Sequence, residues 1–162
     1  MNKRWMLASI AGLALGTMTG LVQAQDNTFK IGLILPMSGP FASTGKQMEL
    51  AVRLYMAQHG DMVAGRKVVL IVKDDTGAPD VAKRIAQELV INDKVQVLAG
   101  FGLTPLAMAT APVATQSKTP LVVMSAATSI ITEASPFIVR TSFTVPQVVT
   151  TLADWATKNN IK

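Results

Sequence analysis

The chain has 162 residues, of which 49% are hydrophobic and 15% charged, and its formal net charge is +5. It contains no cysteine and one histidine, which excludes disulfide bonds and a lipoprotein's modified cysteine and leaves almost no material for Ser-His-Asp or Cys-His catalysis. The lysines and arginines are spread along the chain rather than gathered in one stripe, so nucleic acid is disfavoured as a partner.

The first 24 residues have the features of a secretory signal peptide. Lys3 and Arg4 form a positive start, residues 6–21 are mostly apolar and uncharged, and Val22-Gln23-Ala24 fits the small-x-small rule for cleavage. An uncleaved membrane anchor is the alternative, but this apolar segment is short and interrupted by three glycines. We expect cleavage after Ala24 and export of a soluble chain of 138 residues with a formal charge of +3.

Five apolar segments predict buried strands, and the segments between them have the apolar spacing of helices. The predicted strands are residues 29–35, 67–72, 95–99, 121–124 and 137–141. The predicted helices are residues 46–59, residues 79–91, a helix that begins at Thr104-Pro105, and residues 146–159. Pro112 lies inside the third helix and should kink or split it, because proline lacks the N–H for the i to i−4 hydrogen bond.

Three of these helices have one apolar side, as expected for helices that pack on a sheet. In the first helix this side consists of Met48, Ala51, Val52, Tyr55 and Met56. In the second helix it consists of Val81, Ala82, Ile85, Ala86 and Leu89. In the last helix it consists of Val148, Val149, Leu152 and Trp155.

Regular alternation of strand and helix predicts a doubly wound parallel α/β sheet with the flavodoxin-like strand order 2-1-3-4-5. In that order the loops after the first and third strands, residues 37–45 and 100–105, flank the point where ligands bind. The turn at residues 125–128, after the fourth strand, lies on the same edge. The candidate ligand-binding residues in these loops are Ser38, Thr44, Phe101, Thr104, Ala126, Ala127 and Thr128.

The start of the third helix is the most informative of these positions. Thr104 is a good N-cap and Pro105 suits the first helical position, so a free helix N-terminus is expected at the crevice. Such an end has unpaired N–H donors and a partial positive charge, which suit a carboxylate. Alternatively, Thr104 and Thr128 serve only as caps for the fold.

Other candidate motifs are weaker. Gly45-Lys46 resembles the end of a phosphate-binding loop, but Pro40 stands where that motif needs glycine, and Gln47 stands where it needs Ser or Thr. A nucleoside triphosphatase is therefore disfavoured.

Three aspartates could suggest a metal site, but we interpret them as a strand end and a helix N-terminal carboxylate. His59, beside a glycine at a helix end, is interpreted as a solvated cap. We predict no metal, no cofactor and no catalysis. The three aspartates are Asp74, Asp75 and Asp80.

The chain resembles the extracytoplasmic solute-binding proteins of ABC importers with the type I fold, in the branch of the leucine/isoleucine/valine-binding proteins. The segments that carry the resemblance are IGLILPMSGPFASTG, DDTG, GFGLTPLAMATAPVA, TPLVVMSAAT and IVRTSF. The resemblance implies that the ligand's head group is held by the Thr104 hydroxyl and by the backbone and hydroxyl of the turn at Ala126 and Thr128. A position that is often aromatic in amino-acid binders is Thr44 here.

This resemblance implies a periplasmic protein that captures an amino acid, an amide or a small, often aromatic, carboxylate and delivers it to a membrane permease with its ATPase. Such proteins have two lobes. Residues 25–144 would form the first lobe, and residues 145–162 the hinge exit and first helix of a truncated second lobe. The alternatives are a small flavodoxin-like enzyme or nucleotide-binding domain, and a sensory relative of the same fold.

Overall fold

A computed structural model describes residues 27–161, which form a six-stranded sheet with helices on both faces. The predicted signal peptide lies outside the described residues. The strands are β1 (Thr28–Leu35), β2 (Met62–Val63), β3 (Arg66–Asp74), β4 (Val97–Gly100), β5 (Leu121–Val123) and β6 (Ile138–Arg140). The helices are α1 (Ala42–His59), α2 (Pro79–Ile91), α3 (Thr104–Ser117) and α4 (Val145–Lys158), with short 3-10 helices at Gly39–Phe41 and Ser129–Glu133.

The strand order is β2-β3-β1-β4-β5-β6, and every neighbouring pair is parallel except β2 with β3. For the five predicted strands this is the order 2-1-3-4-5, so the doubly wound prediction is confirmed. The added strand β2 forms a hairpin with β3 through Ala64 and Gly65, both at positive φ (49° and 75°). Two residues are too few to show a strand period, so the sequence pattern did not indicate β2.

The larger core lies between the sheet and helices α2 and α3. As predicted, α2 turns its apolar side inward. The cluster also contains Leu98, Leu106 and Leu121 from β4, α3 and β5. The buried residues of α2 are Ala82, Ile85, Ala86 and Leu89, while Val81 is partly buried against them.

Helix α1 covers a smaller cluster on the opposite face, where Met48 and Val52 pack against Leu33 and Leu35 of β1. The helix begins at Ala42, four residues earlier than predicted. Two residues of the predicted inner side, Ala51 and Tyr55, are exposed, so the buried side of α1 is narrower than predicted. Tyr55 instead stacks on His59 at the helix surface, with ring centroids 4.1 Å apart.

Helix α3 is continuous, so the predicted split at Pro112 is wrong. The Pro112 ring lies on the exposed side of the helix, where it clashes with no other element and removes one backbone hydrogen bond. On the other side of the helix, Thr110, Ala111, Val113 and Ala114 are buried. Packing of that side holds the helix together across the proline.

Helix α4 follows β6 and buries none of its residues. Its predicted apolar side is present but exposed, with Trp155 exposing 54% of its surface. Gln147 accepts a hydrogen bond from the Thr144 N–H at 2.7 Å, which fixes the helix start. Among residues 27–161, no helix has both the length and the apolar character to span a membrane.

Candidate functional site

The carboxyl ends of β1, β4 and β5 meet at one edge of the sheet because these neighbouring strands are parallel. The loops that follow them therefore start side by side, as predicted. Gly45, in the first turn of α1, lies so close to the first loop that an added Cβ would come within 2.2 Å of the Pro36 carbonyl oxygen. An added Cβ on Gly102, in the second loop, would lie 3.0 Å from the Pro36 ring.

Backbone hydrogen bonds of Phe101 join the second loop to β1 and to the turn after β5. The Phe101 N–H donates to the Ile34 carbonyl at 3.0 Å, and the Ala126 N–H donates to the Phe101 carbonyl at 3.0 Å. Phe101 has a positive φ of 66°, and its side chain is fully buried in the larger core. The Phe101 side chain is therefore part of the core. Its backbone links the second loop to β1 and to the turn after β5.

Thr104 and Thr128, both predicted to bind the ligand, are brought together, with their hydroxyl oxygens 2.8 Å apart. The predicted N-cap role of Thr104 is wrong, because the N-cap is Leu103 and no side chain caps the helix. The Thr104 hydroxyl reaches across to the β5 turn instead. The free N–H groups of the first turn of α3 therefore point out of the same edge as two hydroxyl groups.

The turn after β5, residues 126–128, is held from one side by the segment that leaves β6. The Ala126 carbonyl accepts a long hydrogen bond of 3.4 Å from the Ser142 hydroxyl, and the Ala127 carbonyl accepts one of 2.9 Å from the Val145 N–H. The Thr128 carbonyl accepts a hydrogen bond from Nη2 of Arg140. All three carbonyls are thus occupied, while the N–H groups of Ala127 and Thr128 donate to no other described residue.

Ser38 and Thr44 lie in the first loop and the first turn of α1, and no hydrogen bond among the described residues joins them to the threonine pair. Ser38 is exposed, and its hydroxyl lies near enough to the Asp74 carboxylate to lower the pKa of that group. Thr44 is partly buried. The direct Thr104–Thr128 contact therefore does not include these two predicted residues.

The two aspartates at the end of β3 are engaged by the backbone. Oδ1 of Asp74 accepts hydrogen bonds from the N–H groups of Met37 and Thr76, both at 2.9 Å. Burial alone would raise the pKa of Asp74, but the Ser38 hydroxyl and the backbone N–H groups outweigh it and hold this pKa below its usual value. Asp74 therefore anchors the first loop to β3.

Asp75 is fully buried, and its Oδ1 accepts a hydrogen bond of 2.8 Å from the Gly77 N–H. Burial raises the pKa of this carboxyl above its usual value. Asp80 is exposed in the first turn of α2. Within residues 27–161, no group of three or more His, Cys, Asp or Glu side chains is placed to hold a metal ion.

Replacing Asp74 with alanine is expected to lower the free energy of unfolding at pH 7 by about 1.5–3 kcal/mol, because hydrogen bonds to a charged acceptor are lost. The pKa of Asp74 is lowered in the folded state, so its stabilisation is full above the unfolded-state pKa and disappears as the pH falls through the folded-state pKa. Urea unfolding at pH 7 and at acid pH measures both effects. Asp80→Ala, an exposed acid, is the control, and equal losses from the two variants would contradict the anchoring role.

The periplasmic binding protein family matches residues 28–162. A Leu/Ile/Val-binding protein homologue from Brucella abortus is 45% identical over 140 residues, covering 86% of this chain and 36% of that protein.

Two solved structures are also similar. One is a solute-binding protein of an ABC transporter from Rhodopseudomonas palustris BisB5 in complex with 3,4-dihydroxybenzoic acid, with 61% identity, a TM-score of 0.83, and coverage of 84% of this chain and 38% of that one. The other is a solute-binding protein of an ABC transporter from Rhodopseudomonas palustris HaA2 in complex with p-hydroxybenzoic acid, with 47% identity, a TM-score of 0.79, and coverage of 82% and 36%. The chain spans little more than a third of the length of these relatives. By sequence and by fold, the chain belongs to the periplasmic binding protein family.

Proposed function

We propose that this chain supplies the first wall of a carboxylate-binding site in the solute-binding component of an ABC importer, and that its ligand class is the hydroxylated benzoates. The observation that carries the proposal is the Thr104–Thr128 hydroxyl pair, 2.8 Å apart at the start of α3. The relatives with 61% and 47% identity support the aromatic class, since their structures contain dihydroxybenzoic and hydroxybenzoic acids.

A carboxylate suits this edge for a chemical reason. It offers two oxygens that only accept hydrogen bonds, and the edge offers two hydroxyl donors, the first N–H groups of α3 and the N–H groups of Ala127 and Thr128. When a carboxylate oxygen accepts from both threonines, their mutual hydrogen bond is replaced by two bonds to a charged group. The partial positive charge at the start of α3 favours the same ligand.

The proposed contacts are the hydroxyls of Thr104 and Thr128 and the backbone N–H groups of Ala127 and Thr128. Ala126 would hold the turn in place, because its own N–H and carbonyl are hydrogen-bonded to Phe101 and Ser142. Ser38 and Thr44 would lie at the outer rim, near the part of the ligand away from its carboxylate. Phe101 would contribute by position rather than by contact, because its side chain is fully buried and its N–H and carbonyl bond to Ile34 and Ala126.

Capture in the periplasm and delivery to a permease with its ATPase complete the proposed function. The signal-peptide pattern of residues 1–24 and the family membership support this location and these partners. Residues 25–144 would form the first lobe, and residues 145–162 the exit to a second lobe that closes over the ligand.

A branched-chain amino acid is the second candidate ligand, because the Brucella relative is a Leu/Ile/Val-binding protein homologue. The carboxylate site would be the same for both ligand classes. The two ligand classes would differ in the contacts made by the part of the ligand away from its carboxylate. By the resemblance described above, the position of Thr44 is often aromatic in amino-acid binders, so this chain departs there from the amino-acid pattern.

Titration of the ¹⁵N-labelled chain with 3,4-dihydroxybenzoate and, separately, with leucine tests the proposal. With only one wall of the site present, we expect 3,4-dihydroxybenzoate to bind with a Kd of about 1 mM or weaker, and leucine more weakly still. The amide shifts should be confined to residues 102–106 and 126–129. Shifts centred elsewhere, or no shifts with either compound, would contradict the proposed site, and a preference for leucine would favour the second candidate.

A further inference from the structure

Arg140 is the last residue of β6, and its guanidinium contacts the turn after β5. Nη2 donates to the Thr128 carbonyl, so this side chain contacts the residue whose hydroxyl pairs with Thr104. Among the hydrogen bonds of the described residues, that of Arg140 is the one that joins β6 to the turn at residues 126–128.

The charge of Arg140 has no counter-ion within the part of the chain that the structure describes. Arg140 takes part in none of the ion pairs found there. Its Nε is buried and has no hydrogen-bond partner. Arg140 as a whole is partly buried. A partly buried cationic group whose Nε lacks a hydrogen-bond partner is stabilised when an anion lies nearby.

We propose, on the basis of the proposed function, that Arg140 makes the site selective for anionic ligands. It positions the turn through the Thr128 carbonyl and places a positive charge without an ion-pair partner beside the residue whose hydroxyl pairs with Thr104. A bound carboxylate supplies the missing negative charge, whereas the corresponding amide forms similar hydrogen bonds without it. Arg140 is thus a positioning residue whose charge acts on the ligand through space.

The test compares 3,4-dihydroxybenzoate with 3,4-dihydroxybenzamide in ¹⁵N titrations of the chain and two variants. Arg140→Gln removes the charge and keeps an N–H donor, and we expect it to weaken benzoate binding about five- to tenfold and benzamide binding less than about twofold. Arg140→Lys keeps the charge, and its benzoate affinity should stay within about twofold of that of the unmodified chain.

Arg66→Gln is the matched control, because Arg66 also donates Nη2 to a backbone carbonyl, that of Thr28, at the opposite end of the sheet. It should leave both affinities unchanged. A second measurement uses the unmodified chain and so does not depend on the folding of a variant. Rising salt should weaken its benzoate binding and leave its benzamide binding unaffected, because salt screens charge interactions.

Equal losses of benzoate and benzamide binding in Arg140→Gln, or salt-independent benzoate binding, would overturn this inference and leave the proposed function in place. An unmodified chain that binds neither compound at residues 102–106 and 126–129 would overturn the proposed function and this inference with it.

Discussion

Gly100→Ala is expected to destabilise the fold by about 3 kcal/mol or more, enough to leave much of the chain unfolded. Gly100 has a φ of 121°, which side chains rarely tolerate, and an added Cβ would lie 2.2 Å from the Ile34 carbonyl oxygen. That carbonyl also accepts the hydrogen bond from the Phe101 N–H, so moving it would disturb the link between the loops. Urea unfolding followed by circular dichroism measures the loss.

Gly39→Ala is the matched control for this substitution. Gly39 also has a positive φ, of 70°, but an added Cβ would meet nothing within 4 Å. The free energy of unfolding of this variant should fall by only about 1 kcal/mol, the cost of placing alanine at a positive φ. If both variants lost the same free energy of unfolding, the close approach of β4 to β1 would not be the reason that position 100 requires glycine.

Thr104→Ala and Thr128→Ala should each weaken binding of a small carboxylate about ten- to hundredfold, because each removes a hydrogen bond to a charged group. The affinity is best measured in a two-lobed chimera, in which residues 27–162 replace the matching part of the relative that is 61% identical. Titration calorimetry with 3,4-dihydroxybenzoate gives the affinity, and circular dichroism shows whether each variant is folded.

Two kinds of control separate binding from folding. Thr104→Ser and Thr128→Ser keep the hydroxyl and should keep most of the affinity. Thr115→Ala removes a similar hydroxyl pair at the other end of α3, where Thr115 donates to Ser135 at 2.7 Å, and it should leave the affinity unchanged. If neither alanine variant at 104 or 128 lost affinity, the two threonines would serve only the fold.

The sheet could be predicted from the sequence because its central strands are covered on both faces and so consist of nearly continuous apolar residues. The inner side of α2 was predicted for a related reason, since that helix packs against both the sheet and α3. The inner side of α1 was partly wrong, because apolar spacing alone does not show how much of a helix is covered. Ala51 and Tyr55 fit the pattern but lie at the surface.

The candidate site was predicted only in outline. Topology placed Thr104 and Thr128 at one edge, but the direct contact between their hydroxyls depends on how the β5 turn folds back towards α3. Arg140 was missed as a functional residue because its contact with Thr128 joins residues on two separate elements. The sequence offered one signal for it, since Arg140 is a cationic residue at the end of an otherwise apolar strand.

The unequal covering of the two sheet faces determines which parts of the molecule open first in local fluctuations. Helix α4 buries no residue and α1 buries only Gly45, whereas α2 and α3 contribute much of the larger core. Because the cost of exposing a segment rises with the apolar area that it buries, the later turns of α4 can detach at little cost, and α1 at the next lowest cost. Thr104 begins α3 and Thr128 follows β5, so the hydroxyl pair belongs to the part that opens last. It keeps its geometry while the later turns of α4 fray, provided that Val145 at the start of α4 stays bonded to the Ala127 carbonyl.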